Sequence, residues 1–136
     1  MCGQQSRVDQ LGLTEIQCRL QFGQPIMTLA NIAPVLSGFS VIELEIKTHN
    51  RTNYAVLVEA LARELINTTF ANLPIVLTSF DMELHNRLQR HKLLSHVPRG
   101  LLIRTPEALA RATNTALQLG CIQLGIHYPL LTQAVI

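Results

Sequence analysis

The chain has 136 residues, 48% of them hydrophobic, with a net charge of +2 and 4% aromatic residues. This suits a single globular domain, residues 1–136, with a sizeable core. The 11 basic residues are scattered and Trp is absent, which excludes the basic stripe and stacking platform of a nucleic-acid binder. No apolar stretch reaches the ~20 residues of a membrane span, and the first 20 residues hold no signal-peptide core. Cys2, Cys18 and Cys121 show no metal-ligand spacing. Free thiols in a reducing, cytoplasmic setting are expected, with packing roles for Cys18 and Cys121.

In chain order, "LTEIQCRL" opens with a capping box, Thr14 with Gln17. "TLANIAPVL" reads as a short helix that Pro34 should kink or end early. "VIELEIK", residues 41–47, alternates as a strand: Ile42, Leu44 and Ile46 on one face, Glu43, Glu45 and Lys47 on the other. "TNYAVLVEALARELI" follows, with Tyr54, Leu57, Val58, Leu61 and Leu65 on one helical face.

"IVLTSF" reads as a buried strand after Pro74, and Asp81 as the N-cap of "MELHNRLQRHKLL". "RGLLIR" is a third strand. The helix "TPEALARATNTALQLG" then has Thr105 as N-cap, Pro106 at its first position and Gly120 as its stop. "CIQLGIHY" is a fourth strand, and "PLLTQAVI" opens another helix. His85, His91 and His96 read as surface residues, and Arg99 with Gly100 as strand entry away from any site. His49 follows the charged strand and is within reach of its mouth.

The order β-α-β-α-β-α-β-α predicts α/β architecture with parallel strands and right-handed crossovers. An open doubly wound sheet and a piece of a (β/α)8 TIM barrel both satisfy it. No GxGxxG or GxxxxGK[ST] occurs to favour nucleotide binding. Four β/α units are about half of a complete barrel. The "ELEIK" face has two readings as well, a solvated strand face or a site.

"TLANIAPVL", "ELEIK", "IVLTSF", "PRGLLI" and "LGCIQLGIHYPLLTQAVI", in that order over roughly residues 13–136, resemble the C-terminal portion of the glycerophosphodiester phosphodiesterases. The resemblance implies a (β/α)8 barrel that hydrolyses small-molecule glycerophosphodiesters to glycerol 3-phosphate and an alcohol. A divalent cation, calcium or magnesium, and a histidine pair serve that chemistry in the family. The resemblance places Glu45 at the metal-binding glutamate and Lys47 at the lysine near the phosphate. Ser79, Phe80 and His127 fall at strand ends where they would line the substrate pocket.

The chain also departs from the family pattern. Glu43 stands where the family has Asn, and Met27 replaces a Pro. The family's first three strands, with their His-Arg-Gly, Glu-x-Asp and His-Asp, have no counterpart, since residues 1–12 contain no His. The resemblance therefore implies an N-terminally truncated half-barrel, inactive alone, with open edges suited to homo-oligomer formation. A non-catalytic half-barrel serving binding or assembly is the alternative.

Overall fold

The computed structural model describes residues 10–19, 26–66 and 69–132. Cys2 and the end of the expected final helix, residues 133–136, lie outside these. Two short helices, α1 (Leu13–Arg19) and α2 (Leu29–Leu36), precede β1 (Ile42–Glu45). Then come α3 (Tyr54–Ile66), β2 (Ile75–Ser79), α4 (Met82–Arg90), β3 (Arg99–Ile103), the pair α5 (Pro106–Leu109) and α6 (Ala112–Gln118), and β4 (Gln123–Ile126).

The strands form one all-parallel sheet in the order β1-β2-β3-β4. This is the sequential order of a barrel segment and does not reverse direction as a doubly wound sheet does. Curvature agrees with that choice. The Gln123 amide donates to Glu43 Oε1 at 2.7 Å, although β1 and β4 are separated by two strands. Three interstrand steps span ~14 Å in a flat sheet, too far for two side chains that stand upright on it. The sheet must curl toward the face carrying both residues. What is established is a four-stranded parallel α/β sheet of the shape and order that half a barrel would have.

Register assigns the two faces. Glu45, Thr78, Gly100 and Gln123 are partners in one row, so they share the concave face. Gly100 is required there, because a Cβ would stand 2.7 Å from Cγ of Gln123 and 3.1 Å from Cγ2 of Thr78. The convex face meets the helices. Ile42, Ile75 and Leu77 join Val58, Leu61, Leu65, Leu84, Leu88 and Leu94 in one core cluster. Leu101 and Ile103 form a second with Ala112, Ala116, Leu119 and Cys121.

Helix ends follow local chemistry where a cap exists. Thr28 accepts from the Asn31 N–H, Asp81 from those of Glu83 and Leu84, and Thr105 from that of Ala108. Gly120 ends α6 at φ 63°, the left-handed value that favours glycine. α2 continues two residues beyond Pro34.

Four expectations are corrected. Thr14 lies inside α1, whose entry is held by the Gly12 N–H donating to Glu15 Oε2. α4 stops at Arg90, because the chain turns through 91–97 to sink Leu94 fully into the core. The expected helix over 105–120 is broken at Ala110–Arg111. α6 buries Ala112 and Ala116 while α5 buries nothing, so the halves share no buried stripe. Cys18 is exposed, whereas Cys121 packs inside as expected.

Candidate functional site

Side chains at the C-terminal ends of β1, β2 and β3 surround one cavity of about 450 Å³. It is lined by Glu45, Lys47, Thr48, Phe80, Asp81 and Arg104, together with Ile46 and Ser79. Strand alternation sends Glu45 and Lys47 to the same side, where Lys47 Nζ stands 3.9 Å from Glu45 Oε2. Phe80 and Arg104 are the first residues past β2 and β3, and the guanidinium lies 5.0 Å over the ring centroid. That stacking holds a cation at the mouth while leaving its donors available.

Asp81 has a different role. Its Oδ1 accepts the Glu83 and Leu84 N–H groups at 2.9 and 3.2 Å. Its Oδ2 accepts the Thr48 and Tyr54 hydroxyls at 2.5 and 2.6 Å. Partial burial alone would raise its pKa. The two hydroxyls and two N–H groups outweigh that and hold the carboxyl below its usual value. The carboxylate in turn pushes the Tyr54 phenol up, chiefly through their hydrogen bond. With both oxygens engaged, Asp81 fastens the β1–α3 loop and the start of α3 to the start of α4. It frames the cavity and does not serve it chemically.

The sequence-derived site residues divide accordingly. Glu45, Lys47 and Phe80 are brought together. Ser79 is present at the wall, but it belongs to the convex-face row with Leu101 and is 2% exposed. Its hydroxyl donates to the Ile46 carbonyl at 2.8 Å and accepts the Asp81 N–H, so it ties β1 to the α4 turn. His127 is exposed beyond β4, edge-on to Tyr128, and is not among the lining residues. His49 closes its own turn, its Nδ1 accepting the Arg51 N–H, and borders a separate groove with Arg51 and Val56.

Arg104 and Thr48 were missed. Arg104 was legible as the first polar residue after an apolar strand, the same position Phe80 holds after β2. The Thr48–Asp81 contact links residues 33 apart and left no local signal.

The surface reading of His85 changes, while Arg99 is the strand entry on the face away from the cavity that its position suggested. His85 is fully buried: Nε2 faces the Ser79 carbonyl at 3.1 Å and Nδ1 faces Cys121 Sγ at 3.6 Å. Burial lowers the pKa of His85 and raises that of the Cys121 thiol, so both are neutral. A neutral imidazole that donates from Nε2 accepts the thiol proton at Nδ1. Arg99 is 3% exposed and donates to the Ser95, Leu119 and Gly120 carbonyls, clamping the end of α6 beneath β3. Both residues are structural groups of the convex side.

A hard cation needs several oxygen ligands. Among the described residues no three His, Cys, Asp or Glu side chains are grouped to hold one. Glu45 is the cavity's one carboxylate not already tied to a helix start, and it faces Lys47. The described residues do not by themselves make a calcium or magnesium site. No helix among them is long and apolar enough to cross a membrane. Comparisons with protein-family models, curated proteins and solved structures find no match.

Proposed function

We propose that this chain is the phosphate-holding half of a (β/α)8 phosphoric diester hydrolase of the glycerophosphodiester phosphodiesterase type. The observation that carries the reading is the convergence of Lys47, Arg104, Phe80 and Glu45 on one cavity at the C-terminal ends of three adjacent parallel strands. Barrel enzymes keep their chemistry at that end. Lys47 supplies a point charge for phosphate oxygens and Arg104 a planar fork of donors. Glu45 sets the spacing of Lys47 and is one carboxylate toward a divalent cation whose other ligands these residues do not supply.

In this reading the acid and base of hydrolysis lie outside the chain, which works as a cytoplasmic enzyme half. The two sheet edges, β1 and β4, are the surfaces where closure to eight strands occurs, with a second copy as one possible partner.

The test is calorimetric titration with glycerol 3-phosphate, with and without calcium. Lys47→Ala and Arg104→Ala should each weaken binding at least about tenfold, the loss of one charge-assisted contact. Equal binding by both variants refutes the site. Release of glycerol 3-phosphate from glycerophosphocholine by the purified chain would refute the absence of an acid/base pair.

A non-catalytic phosphate-ligand module is the second reading. The engagement of both Asp81 oxygens favours it, because it removes the cavity's other carboxylate from chemistry.

A further inference from the structure

Among the described residues, β1 and β4 each have a single neighbour in the sheet. Ile42 and Ile46 donate their N–H groups into β2, so the backbone N–H and C=O of Glu43 and Glu45 point to the open side of β1. The Ile122 N–H donates into β3, so the backbone groups of Gln123 and Gly125 point to the open side of β4. Exposed apolar side chains accompany both edges. Val35, Phe39 and Val41 lie on α2 and its lead into β1; Leu117, Ile122 and Tyr128 lie on α6 and around β4. Val41 is 57% and Ile122 71% exposed, although each immediately precedes a sheet strand.

We infer that a second copy of the chain closes the sheet, β4 of each copy pairing in parallel with β1 of the other, and that His127 of the partner subunit completes the charged cavity beside Glu45. This rests on the half-barrel reading above and names the partner. Within one copy Glu45, Thr78, Gly100 and Gln123 form one row. Glu45 and Gln123 share the concave face, so only even steps are allowed across the seam. Two even registers overlap the strands, setting Gln123 against the partner's Val41 or the partner's Glu43. The first steps the row back by about four residues per copy, about eight around the ring, which is the stagger of a (β/α)8 barrel. It also sets His127 of the partner subunit against Glu45. Charge agrees, because β1 brings the carboxylates Glu43 and Glu45 while β4 brings none. His127 is the first residue past β4, as Phe80 is past β2 and Arg104 past β3. It misses its own copy's cavity because β4 and β1 are opposite edges, and closure brings it to the other copy's as a further donor near Lys47.

The experiment is sedimentation velocity of the intact chain, with Val41→Asp and Ile122→Lys beside it. The parent should sediment as two copies. Each variant puts a charge at both seams and touches no buried residue. Each should therefore weaken association at least about hundredfold with an unchanged circular dichroism spectrum. Mixing Glu45→Cys with His127→Cys under mild oxidation should give a covalent pair that neither variant forms alone. His127→Ala should remain two copies and bind glycerol 3-phosphate about threefold to tenfold more weakly. A parent that stays a single copy yet binds glycerol 3-phosphate overturns the second copy and leaves the phosphate-holding reading standing. Two copies that bind no glycerol 3-phosphate refute that reading alone. Association that survives both charge variants, or a mixture that cross-links no better than its components, overturns the seam. Unchanged affinity in His127→Ala overturns the part given to His127.

Discussion

Asp81→Ala tests the node that frames the cavity. The substitution removes an N-cap that satisfies two N–H groups of α4, a loss of about 1 kcal/mol. It also strips the Thr48 and Tyr54 hydroxyls of their shared acceptor. Each hydroxyl contact contributes about 1 kcal/mol, and partly buried groups left without a partner add to the cost. The sum is a destabilisation of about 2–4 kcal/mol, a large share of a small domain's total. Asp81→Asn keeps a good cap and one acceptor oxygen, so it should cost about half as much. Urea unfolding followed by far-ultraviolet circular dichroism measures both, with the midpoint falling at constant slope. A double-mutant cycle with Tyr54→Phe should return a coupling of about 0.5–1.5 kcal/mol. A shift below about 0.5 kcal/mol for Asp81→Ala, the range of an ordinary surface substitution, refutes the framing role. Acid supplies a second readout. The folded carboxyl is held below its unfolded value, so its stabilisation is present above about pH 4 and is lost as pH falls through the folded pKa. Asp81→Asn should flatten that acid limb.

Three other outcomes follow from the convex side. Gly120→Ala puts a Cβ on a residue at φ 63° and 2.9 Å from the Arg99 guanidinium that clamps α6, and should cost about 1–3 kcal/mol in the same urea assay. His85 resists protonation in the folded chain, being enclosed by Ser79 and Cys121 with Arg99 and Asp81 nearby. The unfolded chain takes up that proton near pH 6.5, so stability should fall as pH drops below about 6.5, and His85→Gln should remove this slope from the pH series. Leu77→Ala, at the fully buried centre of the larger core cluster, should lower stability by about 2–5 kcal/mol; a loss under 1 kcal/mol would contradict the assigned core face.

Much of the layout was readable from local pattern. β1 buries Ile42 and exposes Glu43 and Glu45 as its alternation requires, β2 is buried throughout as its apolar run suggests, and α3 buries Val58, Leu61 and Leu65 as its spacing requires. Asp81, Thr105, Pro106 and Gly120 mark ends because capping is a contact between residues two to five apart, which a sequence displays directly. Glu45, Lys47 and Phe80 were legible for the same reason: alternation and strand ends set where they point.

What local pattern could not decide was distance along the chain. Parallel order and register come from backbone pairing between strands far apart in sequence, and the curl is visible only because Gln123 reaches Glu43. His85 looks like a surface residue on a polar helix, whose neighbours Asn86 and Arg87 face outward, yet the turn after β2 and the loop before β4 close over it. Ser79 carries a site-like position but spends its hydroxyl on the Ile46 carbonyl, a partner 33 residues away. Sequence alone thus determined the four strands, the caps at Asp81 and Thr105, the stop at Gly120 and the charged face of β1, because those depend on neighbours within a turn or a pleat. Only the tertiary structure decided that Arg104 joins Lys47 beside Phe80, and that Asp81 is a tie between elements, because both follow from how three β/α units pack together.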